Sequence, residues 1–279
     1  MNFHKNIVEK SDKEILILNQ NILNKFKNFK ALSLESGHFL IEDIEKFRNG
    51  YKLIKESLGE YADTIFSSDN MICWNRNYSF LRDIFYKNLL YDKELDTSAK
   101  TTIWRTYILV YFAKICSNLS GDYLELGTYK GHTAQVLTKK IDFEKLEKNY
   151  LLYDLFEWKD GDAHSPLNGL MDKNLYSHVC KKFEKNKNVK IVKGPVPDTL
   201  HNTIPEKIAF AHIDMNHWVP EASSLEMILP KMSLGAVIVF DDYGWFCYHQ
   251  QKIALDPIAD RYGQEILELP TGQGILIKR

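Results

Sequence analysis

Apolar positions change rhythm near residue 97. Upstream they recur with helical spacing. Ile15, Leu18, Ile22, Leu23, Phe26 and Phe29 fall on one stripe, and Phe39, Ile44, Phe47, Tyr51, Ile54 and Leu58 on a second. Phe80, Leu81, Ile84, Phe85, Leu89 and Leu90 predict a third helix, with Ser67–Asn70 a loop before it. These stripes read as packing surfaces. Thr97 or Ser98 is the expected cap of a helix running to about Leu119. Short apolar runs then alternate with helical stretches: Tyr123–Leu126, Tyr150–Leu155, Val189–Val192, Ile208–Ile213, Ala236–Phe240, Glu265–Leu269 and Gly274–Ile277.

Continuous apolar strands between helices imply a mostly parallel sheet covered on both faces. The last two runs are joined only by the residues around Pro270-Thr-Gly-Gln-Gly274, too short for a parallel crossover, so they should form an antiparallel hairpin. The expected fold is α/β, a Rossmann-like seven-stranded sheet that matches class I methyltransferases. The expected division is a helical extension over residues 1–96, covering substrate or making an oligomer contact, and a catalytic domain over 97–279. In such sheets ligands sit beyond the carboxyl ends of the strands.

Composition narrows the partners. The formal net charge is −1, which gives no global attraction to nucleic acid or to an anionic membrane. No basic stripe or run of about 18 apolar residues appears, so neither nucleic acid binding nor a membrane span is expected. Cys73, Cys116, Cys180 and Cys247 are scattered, with no C-x-x-C pair, and read as reduced thiols. The N-terminus lacks a signal-peptide pattern, so the expected location is cytoplasmic. Exposed apolar stripes would favour a homo-oligomer.

The candidate chemistry lies at strand ends. Tyr123-Leu-Glu-Leu-Gly-Thr-Tyr-Lys-Gly131 reads as strand, glycine turn and helix start with the spacing E-x-G-x-x-x-G. It differs from the G-x-G-x-x-G of dinucleotide folds and points to S-adenosylmethionine (SAM) rather than NAD. The cofactor candidates are Glu125, Gly127, Thr128, Gly131 and Thr133, then Asp154 and Phe156 after the next strand, and Asp198 after the third. Asp154 could accept from both ribose hydroxyls. Asp198 is also explained as a helix cap.

Asp214 ends one strand, and Asp241 and Asp242 end a strand expected beside it. Three converging carboxylates repel unless a cation holds them, and oxygen ligands suit Mg²⁺, with Mn²⁺ or Fe²⁺ as alternatives; the other reading is that one Asp caps a helix and the others face solvent. Such an ion would acidify a substrate hydroxyl for methyl transfer. Histidine is the residue type suited to a base near neutral pH, and His217, His212 and His249 are the candidates, each equally consistent with a structural role.

With these pieces in order, residues from about Trp104 to Lys278 resemble the macrocin-type (TylF-like) sugar O-methyltransferases. The matching segments are 121–131, 153–156, 193–200, 212–214, 240–244 and 269–274. The resemblance implies SAM, a divalent metal on Asp214, Asp241 and Asp242, and a sugar or nucleotide-sugar acceptor, such as a precursor of a capsule-type surface polysaccharide. The family shows Asp-x-Asp where this chain has Asp214-Met-Asn216. The proton acceptor is therefore His217, another His, a hydroxide on the metal, or water, with Asp214 beside it in the catalytic set. Alternative readings are a phenolic or catechol-like acceptor, or a SAM-binding protein impaired at Asn216.

Overall fold

A computed structural model describes residues 37–157 and 173–279. The first helical stripe, Ile15 to Phe29, lies outside the described residues. The chain divides into two compact units, one ending at Leu81 and one running from Arg82 to Arg279.

In the first unit, α1 spans Ile44–Leu58. Asp43 caps it by accepting from Lys46 N at 2.9 Å, and the chain leaves it at Gly59 with φ +54°. Of its stripe, Tyr51 is buried whereas Ile44 and Ile54 stay exposed. The expected loop at Ser67–Asn70 is instead the tip of a hairpin, with β1 at Phe66–Ser68 and β2 at Met71–Cys73. Asp69 and Asn70 both take φ +54°, the left-handed pair that a two-residue hairpin turn requires.

In the second unit, α2 (Ile84–Tyr91) follows an Asp83 cap. The long helix expected from Thr97 is two helices, α3 (Thr97–Thr101) and α4 (Ile103–Ile115). The cap is Asp96 rather than Thr97 or Ser98, accepting from Ala99 N at 3.0 Å. The break falls at Thr101-Thr102, whose hydroxyls turn back to the carbonyls of Ser98 and Ala99.

The chain then alternates. It passes through β3 (Asp122–Leu126), α5 (His132–Lys140), β4 (Tyr150–Asp154), α6 (Leu175–Phe183), β5 (Val189–Lys193) and α7 (Asp198–Thr203). It continues through β6 (Ile208–Ile213), α8 (Trp218–Ile228), β7 (Met232–Phe240), α9 (His249–Arg261), β8 (Ile266–Glu268) and β9 (Gly274–Ile277). The seven strands from β3 onward form one sheet in the order β5-β4-β3-β6-β7-β9-β8. The first five pair in parallel, and β9 pairs antiparallel with both β7 and β8, as the short link demanded. This is the expected Rossmann-like, mostly parallel seven-stranded sheet with a C-terminal antiparallel hairpin.

Both sheet faces are buried. Leu124, Leu126, Ile213, Ile238 and Phe240 belong to one core cluster. Tyr123, Phe143, Tyr150 and Phe210 form an aromatic cluster in which Phe143 stacks on Tyr150 at 5.0 Å. The order of connection reverses between β3 and β6. Their register sets Leu126 opposite Ile213, and Ile213 opposite Phe240. The residues just beyond, Gly127, Asp214 and Asp241, therefore leave the sheet at one edge, where ligands of such sheets bind.

Candidate active site

The glycine loop after β3 is tied down internally. Gly127 N donates to Tyr153 O at 2.9 Å, and Gly131 N to Thr128 O at 2.8 Å. Gly127 has φ +93°, and a Cβ there would lie 1.8 Å from the Asp214 carbonyl oxygen. The glycine is thus required by the neighbouring strand's exit, which brings the loop and Asp214 together. Gly131, at φ +69°, caps α5, and its Cβ would meet the Phe183 ring at 2.8 Å. Thr128 is buried and its hydroxyl has no hydrogen-bond partner, while Thr133 is half-buried in the first turn of α5.

Glu125 is 1 % exposed. Its Oε2 accepts from Tyr150 Oη at 2.6 Å and lies 3.5 Å from His212 Nδ1, while Oε1 has no partner. Asp154 secures the loop from the next strand: Oδ2 accepts from Tyr129 N at 2.7 Å, and Oδ1 from Phe156 N at 2.6 Å. Both donors have positive φ, at +48° and +54°. Phe156 is buried against Tyr176. Asp198 is not a cap. The residue before α7 is Pro197, no side chain caps the helix, and Asp198 is its exposed first residue.

The acids do converge. One carboxylate oxygen from each of Asp214, Asp241 and Asp242 lies within 4.8 Å of the others. Burial and the charges of Asp241 and Asp242 raise the Asp214 pKa well above the usual carboxylate range. Asp241 goes the other way. Burial opposes its ionisation, but the Arg105 guanidinium and His212 outweigh it and hold its pKa below the ordinary value. Gln273, from the hairpin loop, donates to Asp241 Oδ1 at 3.1 Å.

Arg105, on the mostly apolar α4, reaches the cluster through Nη1. Nη1 lies 2.7 Å from Asp241 Oδ2 and 3.1 Å from Asp242 Oδ1. Its guanidinium carbon sits 5.0 Å over the Trp245 ring. Trp245 in turn presses on Gly272, where a Cβ would fall 2.2 Å from the indole nitrogen.

The three histidines separate. His212 is 2 % exposed and wedged between Glu125 and Asp241, 3.7 Å from the latter. Burial lowers its pKa, but hydrogen bonding and charge from the two carboxylates raise it overall to about 10. His249 is exposed, with Nδ1 3.0 Å from Phe246 O, and lies outside the acid cluster. His217 occupies the N-cap position of α8 without capping it, and its Nδ1 is buried without a partner. Asn216, just before it, takes φ +54°, a conformation that asparagine tolerates better than most residues.

Arg105, Gln273 and Glu221 were not found from sequence. A lone arginine in Ile103-Trp-Arg-Thr-Tyr-Ile-Leu-Val was a usable signal. Gln273 had none beyond its place in the hairpin loop. Glu221 is buried on α8 and accepts from Gln251 Nε2 at 3.0 Å.

Residues 124–243 match a family model described as a methyltransferase domain. The chain carries a methyltransferase domain. It is a SAM-dependent methyltransferase, and the matched segment holds the glycine loop and all three aspartates. No curated protein matches the chain by sequence. Among solved structures, the O-methyltransferase NovP superposes with a TM-score of 0.57 at 16% identity, covering 72% of this methyltransferase and 99% of NovP. CalS11, described as a calicheamicin methyltransferase, gives 0.50 at 13% identity, covering 89% and 97%. At these identities the likeness is one of fold. No described helix is long and apolar enough to cross a membrane.

Proposed function

We propose that the protein is a SAM-dependent, divalent-metal-assisted O-methyltransferase whose acceptor is a sugar hydroxyl, with a nucleotide sugar or surface-polysaccharide precursor as the substrate class. The single observation that carries the metal part is the convergence of Asp214, Asp241 and Asp242 at the sheet edge beside the SAM loop. These residues fit a hard cation. They offer oxygen donors only, and burial together with the charges of Asp241 and Asp242 disfavours the ionised form of Asp214, a penalty that a divalent charge would relieve. The sequence resemblance described above supports the acceptor class.

The loop fits SAM in a comparable way. Glu125 Oε1 and Thr128 Oγ1 are buried polar atoms without partners, next to a turn fixed by Asp154. Buried groups of this kind are usually satisfied, so a polar ligand such as the methionine moiety accounts for them. Gly127, Gly131, Thr133 and Phe156 shape the loop around it. Asp154 is placed to accept from the ribose hydroxyls, and Asp198 is the most peripheral member of the set.

The bound ion would lower the pKa of the acceptor hydroxyl and hold it in place for in-line attack on the SAM methyl. Asp214, Asp241 and Asp242 would hold that ion, with Gln273 fixing the orientation of Asp241. His217 takes the hydroxyl proton at Nδ1. Its position three residues after Asp214, with an unpartnered nitrogen, favours it over His212, which is wedged between two carboxylates, and over the exposed His249. Asn216 lacks useful basicity.

Isothermal titration of the purified protein with SAM and with NAD tests the cofactor part. Binding of SAM without a response to NAD is the expected result, and the reverse would overturn the reading.

A further inference from the structure

We propose that Arg105 is a built-in counter-cation that competes with the divalent ion for Asp241 and Asp242. The inference rests on the metal reading above and adds a residue that governs it. One nitrogen, Nη1, bridges both carboxylates, at 2.7 Å and 3.1 Å. It occupies the space between two of the three side chains that would share an ion.

The arginine side chain is only 10% exposed, a placement that is costly unless its charge is matched. Guanidinium does not lose its proton, so the competition cannot be relieved by pH. Two cations within a few ångströms repel, and the repulsion is strong where water is scarce. Loading the site therefore requires Nη1 to release at least one carboxylate. The face of Trp245, which lies 5.0 Å from the guanidinium carbon, offers the displaced group a second resting contact. Without metal, Arg105 keeps the two aspartates from repelling each other. With metal, it weakens the affinity and leaves the ion exchangeable.

The test uses the full chain, stripped with EDTA and titrated with Mn²⁺ in a calorimeter, comparing wild type, Arg105→Gln and Arg105→Lys. SAM titration of each protein checks the fold. Arg105→Gln should bind Mn²⁺ more tightly by about tenfold or more, because a competing charge has gone. Its metal-free Tm should fall and be regained on adding Mn²⁺. Arg105→Lys keeps the charge but not the fork, and should fall between the two. Wild-type affinity in Arg105→Gln, or weaker binding in both variants, overturns the competition while leaving the metal reading intact. No Mn²⁺ binding to wild type or to either variant overturns both.

Discussion

Tyr150 Oη donates to Glu125 Oε2 at 2.6 Å across the β3–β4 boundary, and both side chains are buried. The bond engages Oε2 and leaves Oε1 as the buried oxygen without a partner. Tyr150→Phe keeps the ring against Phe143 but leaves the oxygen without that donor. It should destabilise the fold by about 1–3 kcal/mol in urea unfolding. No measurable loss would mean that the carboxylate is satisfied another way.

Gly127 and Gly131 share a motif but not a constraint. Gly127→Ala drives a Cβ into backbone, the Asp214 carbonyl, which cannot move without shifting the acid cluster. Gly131→Ala meets the end of the Phe183 ring, a side chain rather than backbone. Gly127→Ala should cost more in Tm and weaken SAM binding by about tenfold or more, with Gly131→Ala clearly milder. Equal effects would contradict the assignment of Gly127 to the β3–β6 junction.

Glu221 should leave a pH signature in metal-free protein. Burial, then the charge of Asp242, raises its folded pKa to about 8 from an ordinary 4.5, although the backbone N–H groups of His217, Met215 and Asn216 pull it back. The native state then holds a proton that the unfolded chain has released, so this contribution to stability is full below about 4.5 and lost as pH rises through about 8. In Glu221→Gln, Tm should decline less across that window than in wild type. Parallel curves would show that Glu221 is ionised in the fold.

His217→Ala should lower turnover by roughly a hundredfold. SAM affinity should change little. Unaltered turnover would return the proton to solvent.

Much of the second unit was legible. Strand positions followed from apolar runs of the right length, and the sheet edge followed from where Glu125, Asp154, Asp214 and Asp241 stand at strand ends. The hairpin closed by Asp69-Asn70 was read only as a loop because neither residue is glycine, the usual mark of left-handed backbone. The α3–α4 break was missed because Thr101 and Thr102 look tolerable in a helix until their hydroxyls find carbonyls. Arg105 stood out as a lone arginine in an apolar run, but its partners lie 136 and 137 positions away, and the sequence did not connect them.

The most direct measurement of the central claim is methyl transfer from SAM to a panel of nucleotide sugars and simple phenols. It is run with Mg²⁺, with EDTA, and with Asp241→Asn. Transfer to a sugar hydroxyl that is abolished by EDTA and by Asp241→Asn, with SAM binding retained in the variant, is the predicted result. Sugar methylation that persists in EDTA, or transfer confined to the phenols, would contradict it.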